Sequence, residues 1–239
     1  MARRIWLLPV LLAPVFIIAT LPAALVVPRL DLPVAISQVR GSIWSGQADW
    51  QQPGWQPLTL RWRWAGGRDW RWQADDGQTA LAGLWRPGPD TMLPHVQGRL
   101  ELQRLDLVHW LQVARPVGVL ELDLTDVVVR RGHGLQASGR VTWRRAGLTG
   151  AIQESLGDID ITVDANSAVD QGVLLTVRSL TPAVVQVRGT IGLDSERYQT
   201  DLWLRAAAGR GDLTSALAAL GELQPDGQVR LRIGGRTGL

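Results

Sequence analysis

Downstream of Val27, apolar and polar side chains alternate one by one in stretch after stretch, a period that only β-strands convert into one buried and one solvated face. From Leu58 to Trp64, the residues Leu58, Leu60, Trp62 and Trp64 share one face, and Thr59, Arg61 and Arg63 share the other. Leu120, Leu122 and Leu124 oppose Glu121, Asp123 and Thr125 in the same way. Further strands are expected over Leu100 to Leu105, Val141 to Trp143, Ile159 to Val163, Val173 to Val177, Val185 to Ile191, Leu202 to Leu204 and Val229 to Ile233, separated by Gly, Pro and Asp turns. Only Asp106 to Arg115, stopped by Pro116, and Asp212 to Leu223, stopped by Pro225, read as helices, each with an Asp placed to cap its start. Each is preceded by a strand and followed by a Gly-led alternating strand, GVLELDL from Gly118 and GQVRLRI from Gly227, a weak internal duplication. The expected fold is mainly β: an extended, curved antiparallel sheet with one solvated face, carrying two short helices, behind one N-terminal transmembrane helix.

That helix is read from Ile5 to Val27, which carry no charge and would span roughly 34 Å as a helix. Pro9, Pro14 and Pro22 argue against a helix in a soluble core and are tolerated in a membrane span. A cleaved signal peptide fits less well, because the apolar run is longer than a typical signal core and Leu21 or Pro22 would occupy the position three residues before the cut, where a small residue is wanted. Arg3 and Arg4 outweigh Arg29, so the N-terminus is expected in the cytoplasm of a bacterium and the body in the periplasm. The division expected is a cytoplasmic stub and anchor over residues 1–27, a membrane-proximal segment over 28–57 and a periplasmic β-rich domain over 58–239.

The chemistry of catalysis is sparse. There is no cysteine, which excludes disulfides, thiol nucleophiles and thiolate metal sites. His95, His109 and His133 lack metal-binding spacing, and no Walker loop, dinucleotide fingerprint or nucleophile elbow occurs. Asp75 with Asp76 and Asp158 with Asp160 sit in turn or strand-edge settings, where carboxylates maintain solubility. Arg210-Gly211-Asp212 has the form of an adhesion tripeptide but falls at a helix start, where Asp caps. All 25 basic residues are Arg, yet the net charge is only +3 and acidic residues are interspersed, so no nucleic-acid partner is implied. No cofactor, metal or catalytic residue is expected.

Tryptophan is the unusual component. Of 12, seven lie between Trp44 and Trp72. They can fill the sheet core, and some can meet the membrane interface or a partner. Within this region Val39-Arg40-Gly41-Ser42-Ile43-Trp44-Ser45-Gly46-Gln47-Ala48 resembles the Gly-[Ser/Thr]-[Leu/Ile]-Trp-x-Gly-x-Ala stretch of protein N of the bacterial type II secretion system. LTLRWRW from Leu58 to Trp64, and the C-terminal Leu220-Gly221, Gly227 and alternating Val229 to Gly235, extend the resemblance along the chain in order. We read the motif itself as a strand with Ile43 and Trp44 on opposite faces and Gly46 allowing a bulge or close approach. The resemblance makes Gly41, Ile43, Trp44, Gly46, Trp62 and Trp64 the candidate interaction residues.

It also implies an accessory, non-enzymatic subunit that works beside the inner-membrane platform in exporting folded proteins. Its partners would be other secretion subunits of that platform and the outer-membrane secretin. The alternative is a periplasmic lipid-handling or envelope-maintenance module resembling the AsmA group, with lipid in an apolar groove. An open apolar patch above about 600 Å² around Leu58, Leu60 and Leu120 would favour that alternative, or a partner. An unrecognised hydrolase is the third reading, and no residue pattern supports it.

Overall fold

The structure, a computed structural model, describes residues 21–27, 35–51, 56–88, 90–104, 114–130, 134–150, 153–165, 172–194 and 196–236. The chain runs through a four-residue helix α1 (Ala23–Val26) into β1 (Ala35–Gly41), β2 (Ser45–Gln51), β3 (Leu58–Gly66), β4 (Asp69–Asp75), β5 (Ala80–Arg86) and β6 (Thr91–Glu101). Two long strands follow, β7 (Ala114–Arg130) and β8 (Gly134–Gly150), then β9 (Glu154–Asp164), β10 (Val173–Ser179), β11 (Val185–Leu193) and β12 (Arg197–Ala206). Helix α2 (Gly211–Ala218), β13 (Glu222–Leu223) and β14 (Val229–Arg236) complete it. All fourteen strands form one sheet in chain order, except that β14 lies between β12 and β13. Every pairing is antiparallel, so short turns suffice to connect most neighbours.

The alternation seen in the sequence becomes a continuous band. Cross-strand register links Ala48, Leu60, Ala74, Leu81, Gly98, Leu122, Val141, Ile161, Val177, Gly189, Leu202 and Leu231, one residue per strand from β2 to β12 and then β14. One position along, the other face carries Arg61, Gln73, Gln97, Asp123, Arg140, Thr162, Thr176, Thr190, Asp201 and Arg232. A single sheet with one apolar face must curl over that face to bury it. Cα atoms of β9 and β11, two strands apart, come within 8 Å, where a flat sheet would hold them about 9.6 Å apart. The core lies inside this curl: Ile159, Val177, Val185 and Leu204 pack with Leu213 of α2, while Val127, Ala137, Val163 and Val173 form a second cluster.

Several expectations are corrected. Ala114, Arg115 and Pro116, expected as a helix end and its stop, lie in β7; the rest of the expected helix falls outside the described residues. Pro116 pairs opposite Leu148 in the first turns of the strand, next to a bulge at Gly118, a place where a missing N–H is tolerated. The strand expected over Leu100 to Leu105 stops at Glu101 and turns into a 3-10 turn, Leu102–Arg104, with Leu102 buried. α2 ends at Ala218 and not at Leu223, because Glu222 and Leu223 pair with Arg230 and Val229 of β14. Its N-cap position is Arg210, with no side-chain cap; Asp212 sits inside the first turn. Of the expected duplication, the second copy's strand, helix and strand are present as β12, α2 and β14, while the first copy's helix falls outside the described residues apart from Ala114 and Arg115, which are strand. Most of the expected anchor, residues 5–20, lies outside the described residues. Among the described residues no helix is long and apolar enough to cross a membrane. Residues 21–27 pack on the sheet, with Ala23 fully buried.

Candidate interaction site

The stretch from Gly41 to Ala48 is a hairpin, not the single strand expected. β1 ends at Gly41, residues 42–44 turn, and β2 starts at Ser45. The turn reverses the chain because Gly41 adopts φ +89°, a left-handed conformation open to glycine, and an added Cβ would press on Ser45 and Gly46.

Three residues of turn carry six backbone polar groups, and all six have partners. The Ser42 N–H donates to the Ser45 carbonyl at 2.9 Å, and the Ile43 N–H donates to the Leu21 carbonyl at 3.1 Å. The Trp44 N–H donates to Ser42 Oγ at 3.3 Å, and the Trp44 carbonyl accepts the Trp64 N–H at 2.6 Å. The remaining two carbonyls are taken by indoles: Trp62 Nε1 donates to Ser42 O and Trp70 Nε1 to Ile43 O, each at 3.1 Å. Two tryptophans therefore act as polar clamps as well as hydrophobic bulk.

Register delivers them. Trp62 stands opposite Gly46 and Trp72, and Trp64 opposite Trp70, which in turn faces Trp85. An added Cβ at Gly46 would enter the Trp62 ring and the Arg40 carbonyl, so glycine there is a condition of the clamp. Trp44 stacks on Trp70 at 6.1 Å and meets Trp64 edge-on at 5.5 Å, and Trp70 and Trp85 sit 6.1 Å apart. All six sequence-selected residues, Gly41, Ile43, Trp44, Gly46, Trp62 and Trp64, thus meet in one place. Ser42, Trp70 and Trp85 belong to the same cluster and were not singled out by sequence; the Gly66-Gly67 turn, which folds β4 back on β3, was the available signal.

The model for type II secretion system protein N matches residues 33–232, a span that runs from the hairpin's first strand to β14. The chain belongs to this family. No curated protein and no solved structure matches it. In this protein N family member, the motif that suggested the family is the hydrogen-bonded turn just described.

Other polar features have structural partners. Asp75 accepts Arg61 Nη1 at 2.8 Å, and Asp76 caps its own turn through the N–H groups of Gln78 and Thr79. Asp158 takes the Arg145 N–H and Arg144 Nη1, which lower its pKa, and Asp160 lies 3.3 Å from Arg140 Nε. Arg210 holds both Asp212 and Glu154 at 2.8 Å, so the tripeptide carboxylate is engaged and its pKa is lowered by Arg210. A cleft of about 400 Å³ on the polar face is lined by Arg178, Arg188, Trp203, Arg205 and Gln228. Its cations are occupied as well: Arg188 donates to Gln228 and stacks with Arg230 on the Trp203 ring. His95 lies in β6, 3.3 Å from Gln97 and 4.0 Å from Asp123; His109 and His133 fall outside the described residues. Among the described residues no group of His, Cys, Asp or Glu could hold a metal.

Proposed function

We propose that this protein is a non-enzymatic inner-membrane subunit of the type II secretion machine. The segment upstream of Leu21 anchors it, and the sheet works in the periplasm by contact with other secretion subunits of the platform and with the secretin. The observation that carries this reading is the family match across almost the whole sheet, together with the concentration of the family's motif in one rigid turn. A turn with every polar group partnered is a fixed structural element and offers no group poised to transfer protons or attack a substrate.

The lipid-handling alternative called for an open apolar patch around Leu58, Leu60 and Leu120. Leu58 is 3% exposed and the other two are half-buried, so none of the three is fully open to solvent.

The test is secretion of a folded exoprotein from a deletion strain, complemented with the full chain or with residues 21–239, which keep the segment bonded to the Ser42–Trp44 turn, exported behind a cleavable signal. Retention of the exoprotein in the periplasm, relieved by the anchored form alone, is the expected outcome. Normal secretion with a leaky envelope would replace this reading with the envelope-maintenance one.

A further inference from the structure

We propose that one rim of the sheet, the strand ends carrying Trp44, Trp64, Trp70 and Trp85, rests in the interfacial layer of the membrane that the anchor enters. This builds on the anchor reading above and adds an orientation to it.

Seven strand ends meet along this rim: those joined by the β1–β2 turn, those joined by the β3–β4 turn, the end of β5 with the start of β6, and the end of β7. Across β1 to β7, every large apolar side chain counted as exposed among the described residues lies there: Trp64 at 46%, Met92 at 38% and Val129 at 45%. Leu25 of α1, 53% exposed, lies on the segment that packs against the same turn. Among the described residues the other exposed large apolar side chains, Leu180, Leu220 and Leu223 at the opposite rim and Ile233 in β14, lie far along the sheet in the β10–β14 half.

The path of the chain supplies the occupant. Leu21 O accepts the Ile43 N–H, and Pro22 bridges to Ser42, so the polypeptide upstream of Leu21 reaches the fold at the Trp-clamped turn. The sequence before it, from Ile5 to Thr20, carries no charge and is long enough to enter about 24 Å of hydrocarbon as a helix. A bilayer reached by that segment meets this rim first. The rim's chemistry matches: indoles with an apolar body and a bonded N–H are favoured at the headgroup level. Ion pairs at its margin, Arg86 with Asp69 and Arg130 with Asp90, are internally neutral and tolerate a wet boundary.

The chain has no cysteine, so single labels are clean. Full-length protein in phosphatidylethanolamine–phosphatidylglycerol nanodiscs is spin-labelled at Ala65→Cys on the rim, Leu180→Cys on the far side, or Ala13→Cys in the expected span. Collision with oxygen is compared with collision with a water-soluble nickel chelate. The expected result is an oxygen-to-nickel ratio several-fold higher at Ala65 than at Leu180, falling when Trp64→Ser is added. An Ala65 label as wet as Leu180, with Ala13 immersed, overturns the rim proposal and leaves the anchor standing. A wet Ala13 overturns the anchor and the rim proposal together. An Ala65 label shielded from both reagents overturns it in favour of a contact with a second copy of this chain.

Discussion

Trp62 and Trp70 do different work from the same kind of side chain. Both rings pack on the apolar face, but each N–H is also the donor for one carbonyl of the Ser42–Trp44 turn. Trp70→Phe keeps most of the ring and removes the donor. It is expected to cost about 1–2 kcal/mol in a urea unfolding titration, the loss of one part-buried hydrogen bond and the desolvation of Ile43 O. No change in midpoint would mean that water replaces the indole. Gly46→Ala acts through space: its methyl meets the Trp62 ring and the Arg40 carbonyl, so a loss of about 1–3 kcal/mol is expected, larger than Gly77→Ala can produce by collision, because an added Cβ at Gly77 meets nothing within 4 Å. Gly77 still has a left-handed φ of +88°, so its Ala variant reports backbone strain alone and serves as the control.

At the scale of elements, α2 is a plug. Leu213 is 7% exposed and belongs to the larger cluster, with Leu217 packed at its edge, while Leu220, just past the helix, is 56% exposed. Leu213→Ala is expected to cost about 2–5 kcal/mol and Leu220→Ala less than about 0.5 kcal/mol, both read from the unfolding midpoint. Equal effects would mean that α2 does not seal the curl. The early end of α2 has a local signal in Gly221, against the expected stop at Pro225. What stops it is β14, whose Arg230 and Val229 pair with Glu222 and Leu223 and whose backbone approaches Gly221 too closely for a side chain.

For the whole molecule, the polar face is a lattice of Arg–carboxylate pairs. Asp69 is lowered chiefly by Arg86, Asp201 by Arg230, Asp212 by Arg210, and Asp158 by the Arg145 N–H followed by Arg144. A carboxyl with a lower pKa in the folded than in the unfolded state stabilises the fold above its unfolded value, and that contribution fades as pH falls through the folded value. The melting temperature of the full chain in detergent is therefore expected to be nearly flat from about pH 8 to about pH 5 and to fall below about pH 4. Because these groups are exposed, added salt should blunt the acid effect. A decline beginning near pH 6 would instead implicate a histidine.

The strands, their two faces and the family were legible in the sequence, because a period of two and a glycine-serine-isoleucine-tryptophan stretch are local signals. Strands with conspicuous alternation, such as Leu58 to Trp64, announced themselves; β5, with Ala80, Ala82 and Gly83, did not, since small residues carry little hydrophobic contrast. The motif residues were expected as a strand but form a turn, because that turn depends on partners 20 to 27 residues away: Trp62 and Trp70. β7 absorbed a proline for a similar reason, its pairing with β8 outweighing the local stop. Periodicity belongs to the chain itself. Curvature, the sealing of the core by α2 and the closing of the tryptophan clamp depend on which strand becomes whose neighbour, and that is decided only when the sheet is assembled.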